Sequence, residues 1–136
     1  MYKNKFIYKS VPSFNILWLK EEPIINEKYI VYVDEAVNLS PDSALYGHNN
    51  PTQDIEGFYK RINDVFEKIE NWKNLKVVIA ASGKYDYKIN PFKNRHIIYK
   101  KTGNLIQHSD IVLGHCSSAL EQAIVDHKPL LLFKDK

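Results

Sequence analysis

The sequence predicts a three-layer α/β domain built on a mainly parallel sheet. Three observations carry this. Short apolar runs recur at Tyr29 to Val33, Leu75 to Ala81, Ile111 to Leu113 and Leu130 to Phe133, and the first is entirely β-branched or aromatic, as in a strand buried on both faces. Between the first two runs, apolar residues return at helical spacing. Between the last two, a glycine turn leads into a second amphipathic segment, so strands and helices alternate along the chain. With 136 residues and 44% hydrophobic content, the chain has enough material for one domain with its own core.

Residues 1–27 contain Pro12, Phe14, Leu17, Trp18, Leu19 and Pro23 without a clean period, and read as a linker or a segment that packs back onto the domain. The domain proper is expected over 28–136. Its first strand ends at Asp34-Glu35, and Ala36 to Pro51, with two prolines and a glycine, reads as a long loop. Thr52 or Asp54 is placed to cap a helix carrying Ile55, Phe58, Tyr59, Ile62, Val65, Phe66 and Ile69 on one face. The second strand is broken by Ser82-Gly83-Lys84. A shorter strand follows at His96 to Tyr99, then a brief helix opened by Thr102, the strand at Ile111, a helix from about Ser117 to Asp126, and a last strand from Leu130. The sequence stops where a doubly wound domain would continue into another helix, so the expectation is a fragment or a truncated member of a larger architecture.

Composition narrows the function. One cysteine, Cys116, allows no intramolecular disulfide and suits a reducing compartment, the cytoplasm by default. No apolar run approaches the roughly 20 residues a spanning helix needs, and the polar start leads into no signal-peptide core. The net charge of +3 is scattered and gives nucleic-acid binding little support. A weak pull toward anionic ligands, or peripheral association with an anionic membrane face, stays open.

The chemistry is concentrated in Ser109-Asp110-Ile111-Val112-Leu113-Gly114-His115-Cys116-Ser117-Ser118-Ala119-Leu120-Glu121-Gln122-Ala123-Ile124. A strand that stops at a glycine before small hydroxyl residues and a helix start aims free N–H groups at one point, which suits a phosphate. In a parallel sheet, ligands sit beyond the carboxyl ends of the strands, where the strand order reverses. Ser82 to Lys84 and His115 to Ser118 are both expected at those ends. Asp34 and Glu35 end a strand there too, as a catalytic base or a loop anchor. His48 and His108 are isolated, no His/Asp/Glu spacing makes a metal site, and no cofactor is called for.

Taken in order, Tyr29 to Glu35, Lys76 to Ala81, Tyr99 to Ile106, Ser109 to Ser118 and Lys128-Pro129-Leu130-Leu131 resemble the C-terminal domain of GT-B glycosyltransferases, nearest to bacterial proteins of surface and capsular polysaccharide biosynthesis. The resemblance implies a Rossmann-like domain, half of a GT-B architecture, that binds a nucleotide-sugar donor at the inner face of the plasma membrane. The glycan acceptor would bind through an N-terminal domain missing here. Ser117-Ser118-Ala119-Leu120-Glu121-Gln122-Ala123 is also similar to the corresponding loop of UDP-GlcNAc 2-epimerases, which implies small residues on the diphosphate and Glu121 on the ribose hydroxyls. A carboxylate one turn into a helix can accept two hydrogen bonds from a vicinal diol. Related capsule-type transferases have a His-Pro pair after the second strand, where this chain has Ser82-Gly83.

The donor-binding candidates are therefore Ser82, Lys84, Thr102, His115, Ser117, Ser118 and Glu121, with His115 also the catalytic candidate. Each has a plainer role. Ser117, Ser118 and Thr102 suit helix caps, Lys84 and Glu121 a solvated surface, His115 a strand end, and Cys116 a small buried filler. A sugar epimerase and a catalytically silent binding module are the alternative functions.

Overall fold

The computed structural model describes residues 19–36, 54–115 and 117–133. Five parallel strands form one sheet in the order β3-β2-β1-β4-β5. They are β1 (Tyr29–Asp34), β2 (Lys76–Ala81), β3 (Ile97–Tyr99), β4 (Ile111–Gly114) and β5 (Leu130–Leu132). Among the described residues three α-helices accompany them: α1 (Ile55–Lys73), α2 (Thr102–His108) and α3 (Glu121–Val125). The fold class is as the apolar runs predict. None of these helices is long and apolar enough to cross a membrane.

Period-two alternation splits the core between the two sheet faces. Tyr29, Val31 and Val33 of β1 join Val78, Ala80 and Val112 under α2 and α3, with Leu105, Ile106, Leu120 and Ala123. Ile30 and Tyr32 turn the other way, joining Val77, Ile79 and Leu113 under α1, with Ile62 and Phe66. The central strand β1 is buried at every position, which explains its lack of polar residues.

α1 starts where Asp54 accepts a hydrogen bond from the Gly57 N–H at 2.9 Å, and it ends at Asn74 in the left-handed region, φ 52°. Thr52 lies outside the described residues, so Asp54 is the cap the structure assigns. The connection from β2 to β3 contains no helix. It is plugged into the α1 face by Phe92, fully buried against Tyr59, Tyr87 and Tyr32. Arg95 clamps the same connection to α1. Its Nε and Nη2 donate to the two oxygens of Glu70 at 3.2 and 2.7 Å, and its Nη1 donates to Asn63 Oδ1 at 2.8 Å.

The segment expected as one helix from Ser117 to Asp126 is two pieces. A 3₁₀ turn covers Ser118–Leu120, and α3 itself has five residues. Gly114 explains the tightness, because a Cβ there would sit 2.9 Å from Leu120 Cδ2 and the turn closes directly over the strand end. The last strand ends at Leu132. Phe133 still donates its N–H to Gly114 O at 2.8 Å, but its ring packs with the α1-face cluster. Before β1, the Leu19 to Glu22 backbone is held to α2 through Gln107, Asn104 and His108.

Candidate functional site at the carboxyl edge of the sheet

The strand order reverses at β1. The chain leaves β1, returns as β2 on one side, and β4 occupies the other. Tyr32 is level with Leu113, so the same register brings Asp34 level with His115 at the carboxyl edge. Asp34 is also opposite Ala81, the last residue of β2. The three central strands therefore deliver Asp34, the Ser82 to Lys84 turn and the His115 to Ser118 turn to one edge.

Asp34 is buried and fully engaged. Its Oδ1 accepts the Ala36 N–H at 3.1 Å and its Oδ2 accepts the Tyr87 hydroxyl at 2.7 Å. Burial pushes its carboxyl above the ordinary value, against the Tyr87 and Ala36 hydrogen bonds; the Glu35 charge pushes the same way and His115 opposes it. Tyr87 in turn accepts a hydrogen bond from Tyr59 at 3.4 Å, and its N–H donates to the Tyr99 hydroxyl at 3.2 Å. Burial, then the Asp34 charge, push the Tyr87 hydroxyl far above its usual range, so it remains a donor. Of its two sequence readings, Asp34 takes that of loop anchor: it holds Ala36 at φ 49° where the chain leaves the sheet.

His115 turns to the α1 face. Its ring lies 5.5 Å from Phe133, 5.8 Å from Phe58 and 6.1 Å from Tyr32. Its Nε2 is buried without a hydrogen-bond partner among the described residues. A cleft of about 280 Å³ opens beside it, between α1 and the carboxyl ends of β4 and β5. Cys116 lies outside the described residues, as does His48.

Beyond it, the turn crosses to the other face. Ser117 accepts the Ala119 N–H at 3.3 Å through its hydroxyl and the Leu120 N–H at 3.0 Å through its carbonyl. Leu120 packs into the α2–α3 core cluster, and Glu121 beside it is exposed. Ser117 is thus the cap of the 3₁₀ turn, and Ser118 its first residue. Ser82 and Lys84 are exposed at the end of β2, tied by a Lys84 N–H bond to Ser82 Oγ at 3.3 Å. Gly83, at φ 79°, gives room for the Lys100 side chain laid over it.

Thr102 stands apart from the rest. It is the first helical residue of α2, the cap position being Lys101, and follows β3, three strands from β4, or about 14 Å at ordinary strand spacing. His108, at the other end of α2, bonds Glu21 O at 2.7 Å, away from this edge. No group of three His, Cys, Asp or Glu side chains suited to a metal occurs among the described residues.

The edge thus gathers Ser82, Lys84, His115, Ser117, Ser118 and Glu121 around the β1–β4 reversal, but sends the His115 ring and the serine turn to opposite faces. Sequence reasoning placed Tyr59 and Phe133 as core positions only and missed Tyr87 altogether. Tyr87 sits in a polar loop with no periodicity, and only the return of that loop over β1 brings it to Asp34. Comparison with protein-family models, curated proteins and solved structures gives no match.

Proposed function

We propose that this chain is the nucleotide-sugar-binding half of a GT-B-type glycosyltransferase, acting in bacterial surface polysaccharide biosynthesis at the inner face of the plasma membrane. The observation that carries the reading is the strand-order reversal between β1 and β4, with the Gly114 to Ser118 turn at the carboxyl end of β4. A crevice outside such a reversal is where open parallel sheets take nucleotides. The donor phosphates lie against the turn, near Ser117, Ser118 and the Ser82 to Lys84 loop. Glu121, exposed one turn later, is free of core packing and available to the ribose diol. Thr102, set back by three strands, reaches only the far end of an extended donor.

This half contributes electrostatic stabilisation of the departing phosphate, not covalent chemistry. The acceptor glycan binds through the other half, so the chain alone binds donor weakly and transfers nothing. Calorimetry with UDP, CMP and their sugar conjugates tests this. The expected dissociation constants lie at roughly tens of micromolar to millimolar. No saturable heat with any of these nucleotides would overturn the reading, and sugar transfer by this chain alone would overturn its assignment as half a site.

A further inference from the structure

The two edges of the sheet are built differently. β3 closes one with half-buried side chains, flanked by the exposed charges of Lys100 and Lys101, a usual guard against a foreign strand. β5 closes the other with leucines alone. Val112 N–H donates to Pro129 O at 2.9 Å and Phe133 N–H donates to Gly114 O at 2.8 Å, so positions 129, 131 and 133 turn their peptide groups toward β4. Leu130 and Leu132 therefore present their N–H and C=O groups outward, with no strand beyond them among the described residues. Pro129 holds an inward position, so its missing N–H leaves the outer edge intact. Lys128, which precedes the strand, is turned back and donates its Nζ to Ser109 O at 2.8 Å. The side chains match this open backbone: Leu131 and Leu132 are 47% and 57% exposed, and α3, which connects β4 to β5, adds Ile124 at 66% and Val125 at 38%. An apolar edge of this kind is a template for another strand.

We propose that β5 pairs with β5 of a second copy of this chain, antiparallel about a two-fold axis at Leu131. The register is self-complementary. Leu130 of each copy faces Leu132 of the other and each such pair exchanges both its hydrogen bonds, while the two Leu131 side chains meet on the axis at the closer spacing of a non-hydrogen-bonded pair. The edge asks for an uncharged apolar strand, and the copy's own β5 is one: Leu130 to Phe133 carry no charge, so none is set against a like charge. Area sets the strength. The exposed parts of Ile124, Val125, Leu131 and Leu132 amount to about two whole aliphatic side chains per copy, well short of the ~800 Å² per partner of a standard interface, so the dimer is weak and reversible. A two-fold contact occupies the β5 edge of both copies, and growth stops at the dimer. The pairing does not depend on the nucleotide reading.

Sedimentation equilibrium of the full chain, from about 10 μM to about 1 mM, tests the pairing. The expected result is a reversible monomer–dimer equilibrium with a dissociation constant of roughly 100 μM to 1 mM and no larger species. Leu131→Lys and Leu131→Glu each set like charges face to face on the axis. Either variant alone should weaken the dimer roughly tenfold, and an equal mixture of the two should restore it. Their circular dichroism should match the parent, because Leu131 is half exposed. Leu131→Cys gives a second readout that adds no charge. Oxidation should join position 131 of two copies by a disulfide, located by peptide mass mapping, since a non-hydrogen-bonded antiparallel pair holds its Cα atoms about 4.5 Å apart, within disulfide reach. A chain that stays monomeric to about 1 mM would overturn the proposal and leave the edge to another segment or another partner. A dimer that survives both charge variants in folded protein, a mixture that fails to restore it, or the absence of the 131–131 disulfide would overturn it too, by placing the contact on another face.

Discussion

Asp34 has a cost built into its position. Its carboxyl is raised by burial above the unfolded value, so its favourable contribution is complete below the unfolded carboxylate range and is lost as pH rises through the raised folded value. Asp34→Asn keeps an acceptor for the Ala36 N–H, loses the one that the Tyr87 hydroxyl donates to, and removes the ionisation. In urea titrations the variant should therefore gain on the parent as pH rises from about 4 to neutrality, whatever the fixed cost of the lost Tyr87 bond. A stability difference that stayed constant across this range would show that Asp34 does not ionise at a cost to the fold. Tyr29 is a simpler case. Its hydroxyl donates to Leu105 O at 2.8 Å in a buried setting, and burial, then the Asp110 charge, push it up to about 12. Tyr29→Phe should cost about 1 to 2 kcal/mol and leave stability flat across neutral pH, because the hydroxyl never ionises there. Gly114 is set by space: Gly114→Ala forces Leu120 to move within a packed core and should cost about 1 to 3 kcal/mol.

Among elements, α1 and the β2–β3 connection depend on one another. The Glu70 and Arg95 side chains are 16% and 9% exposed and meet through two hydrogen bonds, while Glu70 Oε1 also accepts the Val77 N–H at 2.8 Å. Burial alone would raise the Glu70 carboxyl. The Arg95 hydrogen bonds, the Val77 N–H and the Arg95 charge outweigh it and hold the carboxyl below its ordinary value. The contribution is therefore present above the unfolded value, about 4.3, and is lost as pH falls through the lowered folded one. Glu70→Gln should destabilise by roughly 2 to 4 kcal/mol at neutral pH, since it strands the Arg95 guanidinium. The same variant should show a shallower loss of stability on acidification than the parent; equal acid limbs would assign the acid sensitivity elsewhere. The helical period made α1 legible, but nothing in the pattern showed that Glu70 pairs with Arg95, 25 residues on. The 3₁₀ start of the segment after β4 was equally hidden. Serine caps predict a helix start but not its pitch, and here the pitch follows from Leu120 closing over Gly114.

At the scale of the molecule, the sheet order sets what ligand experiments should find. The β1–β4 reversal places Glu121 next to the proposed phosphate turn yet leaves it exposed, so it should matter for recognition more than for folding. Glu121→Gln should keep the melting temperature and weaken uridine or cytidine nucleotide binding by roughly tenfold through loss of charge-assisted hydrogen bonds. Calorimetry checks this directly. Unchanged affinity, or equal binding of ribose and deoxyribose nucleotides by the parent, would remove Glu121 from the site.

By itself the sequence determined the class of fold, because short apolar runs at β1, β2 and β4 fit strands covered on both faces, and because they alternate with the helical spacing from Ile55 to Ile69. It also marked Gly114 to Ser118 as a strand-to-turn junction, since glycine and small hydroxyl residues carry local backbone information. What it did not carry was the order of the strands and the face each edge side chain takes. Those follow from parallel pairing between segments far apart in the chain, and from the way the loops return. Tertiary structure alone seated Tyr87 on Asp34, turned His115 into an aromatic cleft, and sent the Ser117 turn to the opposite face. The physical reason is that a side chain at a strand end has no neighbour in sequence to fix it; packing between elements decides where it goes.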